Sequence, residues 1–135
     1  MAFNLRSIKT VDTAELSFKD LDGNPTGVVF TLAGPTHPVR KAIEQAKSRK
    51  LIAEANKTGR IKLPDPADTE AEKPAMLAKC TLGWRGVVDE NGNDVMFSPA
   101  TAEAMYADPE LSWLADQVDE ALGNKALFTK SAAGN

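Results

Sequence analysis

Two stretches carry oxygen ligands at alternate positions, the spacing with which a calcium loop begins: Asp20-x-Asp22-x-Asn24 and Asp89-x-Asn91-x-Asn93. Such a loop also needs glycine at its sixth position for the sharp turn and a bidentate glutamate at its twelfth. The first stretch has Pro25 and Thr31 at those places, and the second has Asp94 and Ala100. Both are read as turns, and no metal site is expected. His37 is the only histidine and Cys80 the only cysteine, so a zinc site lacks ligands. His37 precedes Pro38 at an expected helix start, where a capping or turn role is favoured over acid–base work, which needs partners. Cys80 falls on the apolar face of a short helix. Core packing is favoured there, because a reactive thiol needs an electropositive, partly open setting. No GxxxxGK[ST] or GxGxxG is present, so neither a phosphate cradle nor a cofactor is expected. Carboxylates crowd the second half, but spacing alone does not separate a catalytic pair from a solvated face. Nothing in these residues points to an enzyme.

One segment offers a different chemistry. Residues 40–62 hold eight bases (Arg40, Lys41, Lys47, Arg49, Lys50, Lys57, Arg60 and Lys62) against Glu44 and Glu54, a net of +6. Residues 63–135 hold thirteen acids against five bases, a net of −8. Bases along a helix neutralise phosphates in nucleic-acid binders. This segment has no aromatic residue for base stacking, and the pI of the chain is about 5.2. A solvated face, or a surface for an acidic protein partner, is therefore preferred to nucleic acid. A chain so divided can also attract another copy of itself.

The elements that must hold these groups follow from periodicity. Ala14, Leu16 and Phe18 alternate with Glu15, Ser17 and Lys19, and Val28, Phe30 and Leu32 repeat the pattern after Asp22-Gly23-Asn24-Pro25. That predicts an N-terminal β-hairpin over 13–33. Pro38 at a first turn and Gly59 as C-terminal cap predict a basic helix over 38–58. Its apolar face is Val39, Ala42, Ile43 and Ala46, and the stripe then drifts to Leu51, Ile52 and Ala55. Pro64, Pro66 and Pro74 mark a linker over 60–74. A C-terminal helical part over 75–128 then begins with a short helix carrying Met76, Leu77 and Cys80 inward and ending at Gly83. Trp84 to Phe97 reads as a second short hairpin or a tight extended loop. Ser98-Pro99 opens a helix to about Ala107, and Asp108-Pro109 opens another. Leu111, Leu114, Val118, Ala121 and Leu122 give the last helix a clean stripe, which Gly123 ends. The tail after Phe128 is expected to fray. The fold class is α+β, a helix-rich single domain of 135 residues. Met1 opens into polar sequence, and no apolar run approaches the roughly 18 residues of a membrane span. With a single cysteine, the expectation is a reducing cytoplasm and no membrane partner.

Leu82-Gly83-Trp84-Arg85-Gly86-Val87, then Asp89, Gly92, Val95, Phe97-Ser98, a proline-started helix and Phe128 resemble the closing half of the tail assembly chaperones of long-tailed bacteriophages. The hairpin with Asp20-Leu21-Asp22-Gly23-Asn24-Pro25, followed by the basic helix, resembles the opening of such proteins. The resemblance implies a short-form protein made during assembly in the host cell cytoplasm and absent from the mature virion. It implies two partners, the tape measure protein and the tail tube protein. A long, aggregation-prone helical tape measure would be coated and kept from self-association while tube subunits are recruited. Relatives often also have an extended form made by translational frameshifting, and Thr129 to Asn135 is where the gene would carry the slip. Relatives are mostly helical, so two hairpins depart from the family.

A binder of helices needs apolar faces with charged borders. The residues expected to meet partners are Trp113, one step off the Leu111–Leu114 stripe, with Arg49, Lys50, Leu51 and Met105. Trp84 and Phe97 are expected in the core. Met76, Met96 and Met105 are flexible enough for varied partners, although filling core gaps is their commoner use. Two other functions fit the same residues: a minor tail or head–tail connecting protein retained in the virion, and a small nucleic-acid-binding regulator using residues 40–62.

Overall fold

In a computed structural model, which describes residues 4–60 and 66–131, the chain runs β1 (Ile8–Thr10), β2 (Thr13–Lys19), β3 (Pro25–Ala33), α1 (Pro38–Thr58), α2 (Pro66–Cys80), β4 (Thr81–Arg85), α3 (Pro99–Ala107), α4 (Ser112–Leu122) and β5 (Thr129–Ser131). Strands β2, β3 and β4 form an antiparallel sheet with β3 in the centre, and β1 pairs with β5 as a two-stranded ribbon. The class is α+β, as the periodicity predicts.

The hairpin forms where alternation and turn chemistry agree. Phe18, Phe30 and Leu32 point into the core, while Glu15, Ser17 and Lys19 face solvent. Asp20 Oδ1 accepts from the N–H groups of Asp22 and Asn24, both at 2.9 Å, which closes the turn over Gly23. Against this sheet pack Leu77 and Cys80 of α2, Ala102 and Tyr106 of α3, and Leu114, Val118 and Leu122 of α4, with Phe128. The α4 stripe is the one read from the sequence.

Local caps set the helix boundaries. His37 Nδ1 accepts the Val39 N–H at 3.1 Å, so His37 caps α1, and Gly59 ends it in the left-handed region at φ 73°. Ser98 Oγ accepts the Thr101 N–H at 3.1 Å and starts α3.

Four expectations need correction. Residues 66–74, read as part of a linker over 60–74, form the first turns of α2, and residues 61–65 lie outside the described residues. Pro66 stands in the first turn, where a missing N–H costs nothing, and Pro74 is accommodated within the helix. Second, Gly83 does not end this helix. The helix stops at Cys80, and Gly83 lies in β4 opposite Thr31 of β3. Third, of the two readings of Trp84 to Phe97 the hairpin gives way to the tight loop, closed by one bridge, Val88 to Asp94, around a turn in which Asp89 Oδ1 accepts from Asn91 and Asn93 N–H. Fourth, the expected frayed tail begins as a strand, with Thr129–Ser131 paired to Ile8–Thr10.

At the α2–β4 junction one polar pair is sealed in. Thr81 Oγ1 donates to Leu77 O at 2.9 Å, so its lone pair accepts from the Tyr106 hydroxyl at 2.6 Å. Burial pushes the Tyr106 phenol up to about 12, whereas in the unfolded chain it titrates near 10. Between those values the unfolded chain has lost a proton that the folded chain keeps. Stability is therefore expected to fall as pH rises through this window, on the order of 2 kcal/mol. Urea midpoints across the window should show that slope in the wild type and not in Tyr106→Phe.

Candidate interaction surface

Helix α1 has 21 residues and buries none of them, although Val39, Arg40, Ile43 and Ala55 are half-buried. Its inward side matches the apolar stripe read from the sequence only at Val39 and Ile43, for Ala42 and Ala46 are exposed. Arg40, Ile43, Glu44 and Lys47, spaced i, i+3, i+4, i+7, face Met76 and Cys80 of α2 and Asp119 and Leu122 of α4 across a cleft of about 210 Å3. Arg40 explains the choice. Its Nη1 donates to Leu122 O at 3.0 Å and to Ala33 O at 3.4 Å, and its guanidinium lies 6.0 Å from the Phe128 ring centre. Leu122 ends α4, where unpaired carbonyls favour a cation. Replacing Arg40 by methionine keeps the stem and removes these bonds. The expected cost is about 1–2 kcal/mol in urea unfolding, with faster amide exchange along α1.

The face opposite the cleft is Lys41, Gln45, Arg49, Ile52 and Asn56, at i, i+4, i+8, i+11 and i+15, and all five are exposed. Ile52 is 61% exposed. Leu51 continues the inward stripe beyond the cleft at 37%, and Lys50 lies on a flank.

Trp113 stands at the start of α4, half-exposed at 49%, with its ring edge-on to Phe18 at 6.3 Å. From there rings follow one another: Phe18 to Phe30 at 4.9 Å, Phe30 to Trp84 at 5.2 Å, Trp84 to Phe97 at 4.9 Å. Trp84 Nε1 donates to Val95 O at 2.8 Å. Trp84 and Phe97 thus pack against the core, as does half-buried Met105 on α3. Met76 is half-buried beside the cleft, and Met96 is 81% exposed. Among the described residues, no hydrogen bond, ion pair or ring contact links Trp113 or Met105 to Arg49, Lys50 or Leu51. The five residues read as partner-binding lie on three helices, and exposed Ile52 is not among them.

Cys80 is buried, and its Sγ lies 4.0 Å from Met76 Sδ. Burial pushes its thiol pKa up, against the pull of Arg40, Lys47 and Lys79, which keeps it protonated. Among the described residues, no three His, Cys, Asp or Glu side chains gather to hold a metal ion. A second cleft of about 290 Å3 lies between Lys73 and Pro74 of α2 and Tyr106 and Ser112. No helix of the described residues is long and apolar enough to cross a membrane. Comparison of the chain with models of known families, with curated proteins and with solved structures gave no match.

Proposed function

We propose that the chain is a non-catalytic assembly factor of a long-tailed bacteriophage, a tail assembly chaperone. It binds the tape measure protein and tail tube subunits while the tail is built in the host cytoplasm. The observation that carries this reading is α1, a helix of 21 residues with six bases against two acids that buries none of its side chains. Isolated helices are only marginally stable in water, and a protein helix usually draws its stability from a buried face. Here that face is thin, while Ile52 and Arg49 beside it are exposed. A helix of this kind docks on another helix through one or two apolar anchors bordered by charge. The motif resemblance supplies a partner of that description, because a tape measure is long and helical with an apolar stripe to be covered.

Co-expression with the tape measure protein of the same genome, followed by a pull-down from the soluble fraction, tests the reading. The tape measure is expected to stay soluble and to co-purify. Arg49→Glu with Ile52→Asp is expected to reduce its retention at least about tenfold. A tape measure that precipitates regardless, leaving the chain alone in the supernatant, would favour a virion component instead.

A further inference from the structure

One end of the three-stranded sheet carries two turns of the same geometry. At the first, Asp20 Oδ1 accepts from the N–H groups of Asp22 and Asn24, the Gly23 N–H donates to Asp20 O at 3.0 Å, and the Asp20 N–H donates to Asn24 O at 2.9 Å. At the second, Asp89 Oδ1 accepts from Asn91 and Asn93, the Gly92 N–H donates to Asp89 O at 3.0 Å, and the Asp89 N–H donates to Asn93 O at 2.9 Å. Gly23 and Gly92 stand at φ 83° and 80°. The turns share an end because β3 begins after the first, β4 ends before the second, and Arg85 pairs with Val29. The residue after the aspartate is Glu90 in one turn and Leu21 in the other. The turn therefore needs no apolar residue there, yet Leu21 is fully exposed. Val88 and Met96, on either side of the second turn, are exposed as well, and Trp113 borders this end beside Phe18. Residues 86–98 contain three acids and no base, and residues 19–26 contain two acids and Lys19. Asp22, Glu90 and Asp94 are exposed, and among the described residues none of the three takes part in an ion pair.

We infer that this end is a second docking surface, separate from α1, and that it takes a folded partner with an apolar pocket edged by lysine or arginine. Leu21 enters the pocket, Val88 and Met96 lie against its wall, and Asp22, Glu90 and Asp94 meet the bases. Each turn is held by four hydrogen bonds of its own, so the apolar knob is already in place before a partner arrives. A knob on a rigid support loses little freedom on docking, and unpaired carboxylates around it select a partner of the opposite sign. Projecting turns suit a pocket, whereas α1, which starts beyond the other end of β3, suits a helix lying alongside. The inference rests on the proposed function, which has two partners. With the helical tape measure on α1, the tail tube subunit is the occupant of this end, bound together with the tape measure and not in competition with it.

The test is a soluble-fraction pull-down of the full chain, co-expressed first with the tail tube subunit alone and then with tube subunit and tape measure together. The wild type is expected to retain the tube subunit in both. Leu21→Glu gives the first turn the residue that the second already has, so the circular dichroism spectrum should not change. Its retention of the tube subunit should fall at least about tenfold, as should that of Asp22→Lys/Glu90→Lys, while Leu21→Met should keep it. Retention of the tape measure should be unchanged in all three, and Arg49→Glu with Ile52→Asp should show the reverse pattern. A wild-type chain that does not retain the tube subunit, or a Leu21→Glu chain that retains it equally well, overturns the inference. So does a wild-type chain whose mass in sedimentation exceeds 14.5 kDa and returns to it in Leu21→Glu, for the end then takes a second copy. A chain that holds the tape measure soluble but not the tube subunit defeats the inference alone. A chain that retains the tube subunit through Leu21 while the tape measure precipitates defeats the reading of α1 alone.

Discussion

Replacing Phe30 by alanine is expected to lower the unfolding free energy by about 3–5 kcal/mol, the largest loss from truncating any one side chain in this core. Phe30 lies on the central strand β3 and is 1% exposed. Its ring touches both Phe18 and Trp84 in the chain of aromatic contacts that joins α4 to the loop before α3. Truncation leaves a cavity bounded by rings that the strand pairing holds in place, so the site cannot collapse. Since domains of this size are stable by about 5–15 kcal/mol, the variant should be near the edge of folding. Trp113→Ala, at the exposed end of the same chain of rings, should cost only about 1 kcal/mol. Urea unfolding of both variants checks this, and equal losses would contradict the placement of Phe30 at the centre.

Gly86→Ala is expected to cost about 3 kcal/mol or more, for two reasons that act together. Gly86 ends the Thr81–Arg85 strand at φ 79°, where an L side chain is strained. A Cβ there would also lie 2.2 Å from Gly27 O and 2.9 Å from Gly27 C, both backbone atoms of the neighbouring strand. Neither can give without breaking the β3–β4 pairing. Gly92 is the control: its φ is 80°, and a Cβ would meet nothing within 4 Å. Gly92→Ala should therefore show the conformational cost alone, about 1 kcal/mol. Thermal unfolding of the two variants separates strain from collision, and equal shifts would mean that the β3–β4 approach is looser than described.

What was legible in the sequence was local. The β2–β3 hairpin, both ends of α1 and the α4 stripe each follow from periodicity and a capping or turn residue a few positions away. What escaped depended on partners far along the chain. Strand β4 exists because Arg85, Trp84, Gly83 and Thr81 find Val29 to Leu32, about fifty positions earlier, and no short window holds that information. The β1–β5 ribbon joins residues near the two ends of the described chain in the same way. Helix α2 was hidden by its prolines, which read as linker punctuation although one occupies a first turn and the other stands half-buried within the helix. Exposure on α1 and α4 was half legible. That of Arg49 and Trp113 is visible locally, in a base on a helix and an indole off its stripe. That of Ile52 is not, because it counts as outward only once the cleft face of α1 is known. That face joins Arg40, Glu44 and Lys47 to half-buried Ile43, and the bonds of Arg40 to Ala33 and Leu122 turn it inward, so only Val39 and Ile43 of the apolar stripe are half-buried.

The central claim is that α1 stands outside the core as a docking helix. Amide hydrogen exchange along α1, in the dilute chain at high salt and again in the complex co-purified with the tape measure, tests it most directly. In the free chain the amides from Lys47 to Thr58 are expected to exchange fastest among the helices, since few buried contacts hold them. In the complex they should slow at least about tenfold, with β3 and the buried stripe of α4 unchanged. Slow exchange along α1 in the free chain, or protection appearing elsewhere while α1 exchanges as before, would contradict the account.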